Sequence, residues 1–157
     1  YDRAGPLNFY SGYRIHNYHF AAYGAMFLGQ YGPALAAAEE LIETTPEALL
    51  RIPSPPMADF FESYISIKQH VLVRFGRWQQ ICDEDMPDNP ESVPITTIML
   101  VYAKAIAHAA LGDLESARRY QQDFYRLYRA LPEWHIMANN PSRDILAVGQ
   151  EMMNGEV

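Results

Sequence analysis

The sequence predicts an all-α protein of about seven helices, arranged as antiparallel helical hairpins that stack side by side. Two runs of residues with helical periodicity carry this prediction, and a Gly-Asp turn separates them. One face of the first run holds Ile98, Val101, Tyr102, Ala105, Ile106 and Ala109. One face of the second run holds Leu114, Ala117, Phe124, Leu127, Tyr128 and Leu131. Each run is therefore expected to form an amphipathic helix.

Two prolines and a glycine mark where these helices begin and end. Pro94 suits the first turn of a helix, Gly112 permits the positive φ that ends one, and Pro132 stops the second helix. Because one helical hairpin cannot bury both of its apolar faces alone, it needs neighbours. We therefore expect further hairpins in the chain.

Earlier parts of the chain carry the same signals. We expect a helix over 13–29, with packing bulk from Phe20, Tyr23, Ala25, Phe27 and Leu28. Strong helix formers predict a second helix from Pro33 to Thr45. A single helix over about 59–75 and a short one over 78–83 follow.

These signals divide the chain into consecutive segments. Asn140 and Pro141 would supply the N-cap and the first helical position of the closing helix. That helix either caps the stack or begins a further repeat. We expect a tail or the end of an earlier repeat at 1–12, hairpins at 13–46, 59–83 and 94–132, a Pro-rich connector at 47–58, an acidic loop at 84–93, and the closing helix at 140–157.

The three turns share one design: an apolar residue, glycine, a polar and an apolar residue, two variable residues, and a small or aliphatic residue. It occurs at 28–34, 75–81 and 111–117. This design resembles the tetratricopeptide repeat, a 34-residue helical hairpin with glycine at the turn and proline at its end. Pro46 falls at the closing position of the first unit, and Pro132 lies close to it in the third. The second unit departs from the pattern, because its second helix is short.

The resemblance implies a right-handed superhelix whose concave groove binds a peptide. The chain would then be a protein–protein interaction or scaffold module with no cofactor and no enzymatic activity. Its turn glycines would be Gly29, Gly76 and Gly112. Its groove would be lined by His16, His19, Tyr23, Ser66, His70, Arg74, Met99 and Tyr102.

A narrower resemblance concerns the segment over 13–20, which reads Tyr-Arg-Ile-His-Asn-Tyr-His-Phe. It is similar to a group of long tetratricopeptide-repeat proteins that share a Tyr-x-x-His-Asn-x-His-Phe signature. That group brings no catalytic residues with it. In that group a further repeat follows the position of Gly155, and this chain begins at Tyr1 rather than Met. We therefore expect it to be a piece of a longer protein.

Two histidines in this segment raise an alternative. His16 and His19, at i and i+3, lie on one helical face and could hold a zinc or copper ion if His70 supplied a third ligand. The sequence has no HExxH or paired CxxC motif, so a role in the groove is favoured over a metal site, and we expect no metal. A third alternative is a structural spacer that stacks the flanking repeats.

Charge and composition exclude some partners. The 157 residues carry a net charge of -7, which argues against nucleic acid and is more compatible with a basic protein or peptide partner. No apolar run approaches 18 residues, so we expect no membrane insertion. The single cysteine, Cys82, excludes an internal disulfide and slightly favours the cytoplasm. Open ends of a repeat stack would also permit self-association.

Overall fold

The computed structural model describes residues 10–51 and 57–157, and these residues form an all-α fold, as the sequence predicts. The α-helices are α1 Tyr10–Phe27, α2 Tyr31–Glu43, α3 Met57–Ile65, α4 Ile67–Arg74, α5 Trp78–Asp83, α6 Pro94–Ala110, α7 Leu114–Ala130 and α8 Ser142–Glu156. Ser66 alone separates α3 from α4. Counted with these two as one, the α-helices in the described ranges number seven.

Two expected segments fall partly outside the described ranges. The expected tail at 1–12 is described only from Tyr10, where α1 already begins. The connector at 47–58 is described at its two ends, and outside the described residues lie Pro53, Pro55 and Pro56. Its first part is a 3₁₀ helix, Glu47–Arg51, where we expected no helix. This turn buries Leu49, and that contact explains why the segment is ordered into a helix.

The glycines at the three turns all adopt the left-handed backbone conformation, with φ of 69° at Gly29, 62° at Gly76 and 83° at Gly112. At the third turn, the amides of Gly112 and of the next residue donate to carbonyl oxygens in the last turn of α6, at 3.0 and 2.9 Å. The carboxylate of Asp113 then accepts from the Ser116 amide at 3.1 Å and caps α7. One short turn thus ends α6 and begins α7.

Contacts between helices follow the chain order that stacked hairpins require. The helix α1 packs against α2, and α6 packs against α7. The first helices of the hairpins also contact one another in sequence, with α1 against α3 and α4, these against α6, and α6 against α8. The handedness of a superhelix and the repeat family stay predictions.

The helix α6 lies at the centre of this arrangement. Every residue over 95–107 is buried, because α3, α4, α5, α7 and α8 all pack against it. The sequence predicted an amphipathic helix with one apolar face, and the structure corrects this prediction, since neighbours cover every side. None of the helices within 10–51 and 57–157 is long and apolar enough to cross a bilayer.

A buried carboxyl group from α3 holds the start of α6. Glu62 accepts hydrogen bonds from the amides of Ile95 and Thr96, at 3.3 and 2.5 Å. These amides have no partner within their own helix, so the side chain acts as a cap from a neighbouring helix. Burial raises the pKa of Glu62 to about 7, the two amides oppose that rise, and the charge of Asp59 adds to it.

A buried lysine links α6 to the end of α5 in the complementary way. The Nζ of Lys104 donates to the carbonyl oxygens of Ile81 and Cys82, at 3.1 and 2.7 Å. A cation at a helix C-terminus satisfies carbonyl groups that otherwise lack a partner. Burial lowers the pKa of Lys104 from its usual value, and nearby Cys82 and carboxylates, led by Glu84, oppose that change. The short α5 is thereby tied to the central helix.

Two boundaries differ from those predicted. The helix expected over 59–75 is interrupted, because the Ser66 hydroxyl donates to the Ser63 carbonyl at 3.2 Å and competes with the backbone. Asn140–Pro141 is not a helix start but β2, which pairs antiparallel with β1, Ile136–Met137. Ala138, with φ of 54°, makes the tight turn between the two strands. The helix α8 therefore begins only at Ser142.

Gly112→Val tests the turn between α6 and α7. A Cβ at this position would meet no atom within 4 Å, so the expected destabilisation comes from the left-handed backbone. We expect the free energy of unfolding to fall by about 1–2 kcal/mol, measured by urea denaturation. The control is Gly24→Ala in α1, which also meets no atom within 4 Å and should stabilise by up to about 1 kcal/mol. Equal stability of the Val variant and the wild type would contradict this explanation.

The raised pKa of Glu62 makes part of the stability depend on pH. Its pKa is 4.5 when unperturbed and about 7 in the fold, so between these values the folded state binds more protons than the unfolded state. The contribution of Glu62 is therefore fully present below about pH 4.5 and is lost as the pH rises through 7. From pH 4.5 to 8, the wild type should lose about 3 kcal/mol of stability relative to Glu62→Gln.

Unfolding by urea at a series of pH values measures this difference. The control is Glu133→Gln, because Glu133 is an exposed carboxylate outside the helices. Its difference from the wild type should stay nearly constant over the same pH range. A constant difference for Glu62→Gln as well would show that the buried carboxyl does not titrate in this window.

Candidate functional site

The helix α1 exposes a row of aromatic side chains. Tyr13, His16, Phe20, Tyr23 and Phe27 recur at alternating spacings of three and four residues, and so lie on one face. All five are exposed, and the exposed fractions of Tyr13, Phe20 and Phe27 are 58, 64 and 85%. We call this set the α1 aromatic face. The sequence prediction that Phe20 and Phe27 supply packing bulk is wrong, because the opposite side of α1 packs inward.

The buried side of α1 explains this orientation. It presents Ser11, Ile15, Ala22, Ala25 and Met26 to the neighbouring helices. Small residues allow close approach of helices, whereas large aromatic rings on that side would hold them apart. The sequence already shows that α1 has two apolar sides, one with these buried residues and one with the aromatic residues of the α1 aromatic face.

His19 connects the α1 aromatic face to α3. The centroid of its ring lies 4.8 Å from the ring centroid of Tyr23 and 4.9 Å from that of Tyr64. The rings of His19 and Tyr64 meet edge to face. Burial lowers the pKa of His19, and the nearby charge of His16 lowers it further. The imidazole is therefore neutral at pH 7 and offers one donor and one acceptor.

His70 on α4 lies close enough to His19 for the charge of His19 to lower the pKa of His70. Burial lowers the pKa of His70 to about 4, and the charge of His19 is the second cause. Two predicted groove residues from different hairpins are thus brought together. Arg74 follows one turn later at the exposed end of α4.

Three predicted groove residues are not accessible. Ser66 is buried at the junction of α3 and α4, and Met99 lies in the core around α6. Tyr102 is covered by α8, where a Cβ on Gly149 would lie 3.7 Å from its ring and the Sδ of Met152 lies 4.0 Å from its hydroxyl. The groove prediction is corrected for these residues, because neighbouring helices occupy the space that a peptide would need.

The histidines do not build a metal site. Within the described ranges, no three His, Cys, Asp or Glu side chains are grouped so that they could hold a metal ion. His16, His19 and His70, which the metal alternative requires, therefore lack that geometry. Cys82, the single cysteine of the chain, is half-buried, and burial raises the pKa of its thiol.

The charged side chains near the α1 aromatic face come from α1 and from the helices packed against it. The helix α1 contains no Asp or Glu, and its one charged side chain is Arg14. The helix α4 contains Lys68 and Arg74 and no carboxylate. Negative charge is concentrated instead in α2 and in the loop over 83–91. Because α2 packs directly against α1, and Glu40 accepts a hydrogen bond from the Tyr18 hydroxyl at 3.4 Å, carboxylates also lie close to α1.

The contact between His19 and His70 can be tested by titration. We expect the C2 proton of His70 to titrate in an NMR spectrum near pH 4, well below a free histidine. His19→Ala should raise the pKa of His70 toward 6.5, because the charge of His19 is one of the two causes that lower the pKa of His70. The control is His108→Ala on α6, which should leave the titration unchanged. An unchanged pKa of His70 in the His19→Ala variant would contradict the proximity of the two histidines.

Comparison with known proteins gives no relative for this chain. No protein-family model, no curated protein and no solved structure matches it. The tetratricopeptide-repeat resemblance therefore rests on the three turn motifs and stays a prediction.

Proposed function

We propose that this chain is a tetratricopeptide-like interaction module that binds a protein segment at the α1 aromatic face. The observation that supports this proposal is the exposure of Tyr13, Phe20, Tyr23 and Phe27 along one side of α1. Contiguous apolar surface of this kind on a folded chain is typical of an interaction site. His19 lies beside it, with its ring against that of Tyr23, and would add a polar contact.

Aromatic rings of this size can supply the required affinity. Covering about 100 Å² of one ring contributes about 2.5 kcal/mol at 25 cal/mol per Å². Several rings are needed, because association itself costs at least about 4 kcal/mol in lost freedom. Tyr13, Phe20, Tyr23 and Phe27 would together contribute about 10 kcal/mol, which leaves about 6 kcal/mol after that cost and supports a dissociation constant of tens of micromolar.

The spacing of the rings favours a helical partner. Residues that alternate every three and four positions form a straight row along a helix, which is the pattern with which two helices pack side by side. A partner helix would present apolar residues at i, i+3, i+4 and i+7 to this row. An extended peptide would not match the spacing over the same length.

Local charge bears on the expected partner. The whole-chain charge of -7 predicted a basic segment. The α1 aromatic face has no carboxylate of its own helix, but α2, which packs against α1, carries Glu39, Glu40 and Glu43. We therefore propose an amphipathic helix whose polar flank is basic, since the carboxylates of α2 would attract it.

Selection from a library of amphipathic helical peptides, followed by fluorescence titration of one selected peptide, tests the proposal. We expect micromolar binding to the wild type and at least a tenfold loss with Phe20→Ser/Phe27→Ser. Both residues are exposed, so the fold should tolerate the change.

The matched control is Leu114→Ser/Val148→Ser, which removes two exposed apolar residues elsewhere. Its affinity should stay within twofold of the wild type. Equal loss in both double variants, or no loss in either, would contradict the assigned surface. A concentration-dependent mass in sedimentation that only the Phe20→Ser/Phe27→Ser variant lacks would instead support the spacer alternative, in which this face stacks on another repeat.

A further inference from the structure

A cleft of about 760 Å³ opens at the other end of the molecule from the turns. Its described walls come from the 3₁₀ helix, the start of α3, the loop before α6, the first turns of α6, the last turns of α7, and the segment that follows α7. No residue of α1 contributes to it, so it is separate from the α1 aromatic face. Its volume lies within the range of small-molecule sites, roughly 300–1,000 Å³.

The walls of the cleft are mainly apolar. Ile98, Leu127 and Leu131 line its inner part. Trp134 lines the cleft and is 73% exposed. Its ring stacks on that of His135, with centroids 6.1 Å apart. An exposed indole next to an apolar cavity offers a flat surface to an aromatic or cationic ligand.

Two carboxylates give the cleft its charge. Asp59 and Glu91 both line it. The one arginine among its described walls, Arg51, is ion-paired with Glu47, so its charge is already balanced. The excess charge of the cleft is therefore negative. This charge favours a positively charged ligand group.

The geometry around Asp59 leaves its carboxylate able to accept hydrogen bonds from a ligand. Its Oδ1 lies 3.7 Å from the Nε2 of His135, which is longer than a hydrogen bond. The other ring nitrogen of His135, Nδ1, lies 2.8 Å from the hydroxyl of Ser142. Because Ser142 is fully buried, these three residues cannot act as a nucleophilic Ser-His-Asp set on a bound substrate. The contacts instead hold the imidazole in place beside Asp59.

We propose that this cleft binds a small amine that combines a positively charged nitrogen with an aromatic or branched apolar body. The nitrogen lies at the carboxylate of Asp59, with Glu91 adding negative potential. The apolar body lies against Leu127, which is half-buried, and against the exposed face of Trp134. This binding site is independent of the peptide-binding function proposed above.

Phenethylamine is a suitable probe, because it has one ammonium group and one aromatic ring. We expect saturable binding with a dissociation constant on the order of 1 mM, as befits a ligand of nine non-hydrogen atoms. The indole N–H signal of Trp134 in a two-dimensional NMR spectrum reports it. The indole of Trp78 on α5 should not shift, which makes it an internal control.

Ligands without the positive charge, and protein variants without one carboxylate, separate the contribution of charge from that of apolar contact. The isostere 2-phenylethanol should bind at least tenfold more weakly, and 3-phenylpropionate should not bind. Asp59→Asn should weaken phenethylamine about tenfold and leave 2-phenylethanol unchanged. Asp88→Asn is the matched control, since it makes the same change at a carboxylate that lies in the acidic loop with Glu91 but does not line the cleft. Its affinity should equal that of the wild type.

A second variant protects the test against misfolding. Should Asp59→Asn lower the thermal midpoint, Glu91→Gln, which alters an exposed residue, should still weaken phenethylamine severalfold. The proposal is overturned by equal affinity for the amine and the alcohol, by equal affinity of Asp88→Asn and both cleft variants, or by the absence of a saturable Trp134 shift.

Discussion

The complete burial of α6 is the constraint on which the rest of the structure depends. A helix that is enclosed along 95–107 has no solvent to satisfy polar groups at its start, so a neighbour must do so. Glu62 supplies that partner from α3. Lys104, itself buried on α6, donates in turn to carbonyl oxygens at the end of α5. These contacts fix the places of α3 and α5, which have too few residues to be stable helices alone.

The same constraint decides where a partner can bind. Because α6 has no free face over 95–107, the surface that the predicted groove assigned to Met99 and Tyr102 does not exist. Accessible apolar surface is found instead along one side of α1 and where α6 begins beside the carboxyl end of α7. Both candidate sites therefore lie at boundaries of the packed centre and not across it.

Local signals predicted local features well. The three turns follow from glycine, because few other residues adopt positive φ without strain. Proline and glycine also marked both ends of α6. The sequence could not reveal that Glu62 would cap a helix more than thirty residues away, or that α8 would cover Tyr102. Those contacts depend on which helices become neighbours, and no spacing within one segment encodes that.

The orientation of α1 shows the same distinction within the candidate site. Its sequence carries small residues on one side and aromatic residues on the other, and either side could in principle pack inward. Close helix approach requires the small side, so the aromatic side is left exposed. His16, His19 and Tyr23 were predicted as groove residues and lie on or beside that side, whereas Phe20 and Phe27 were predicted as packing residues. The exposed aromatic row therefore follows from packing in the interior, and binding can use it without any change in the fold.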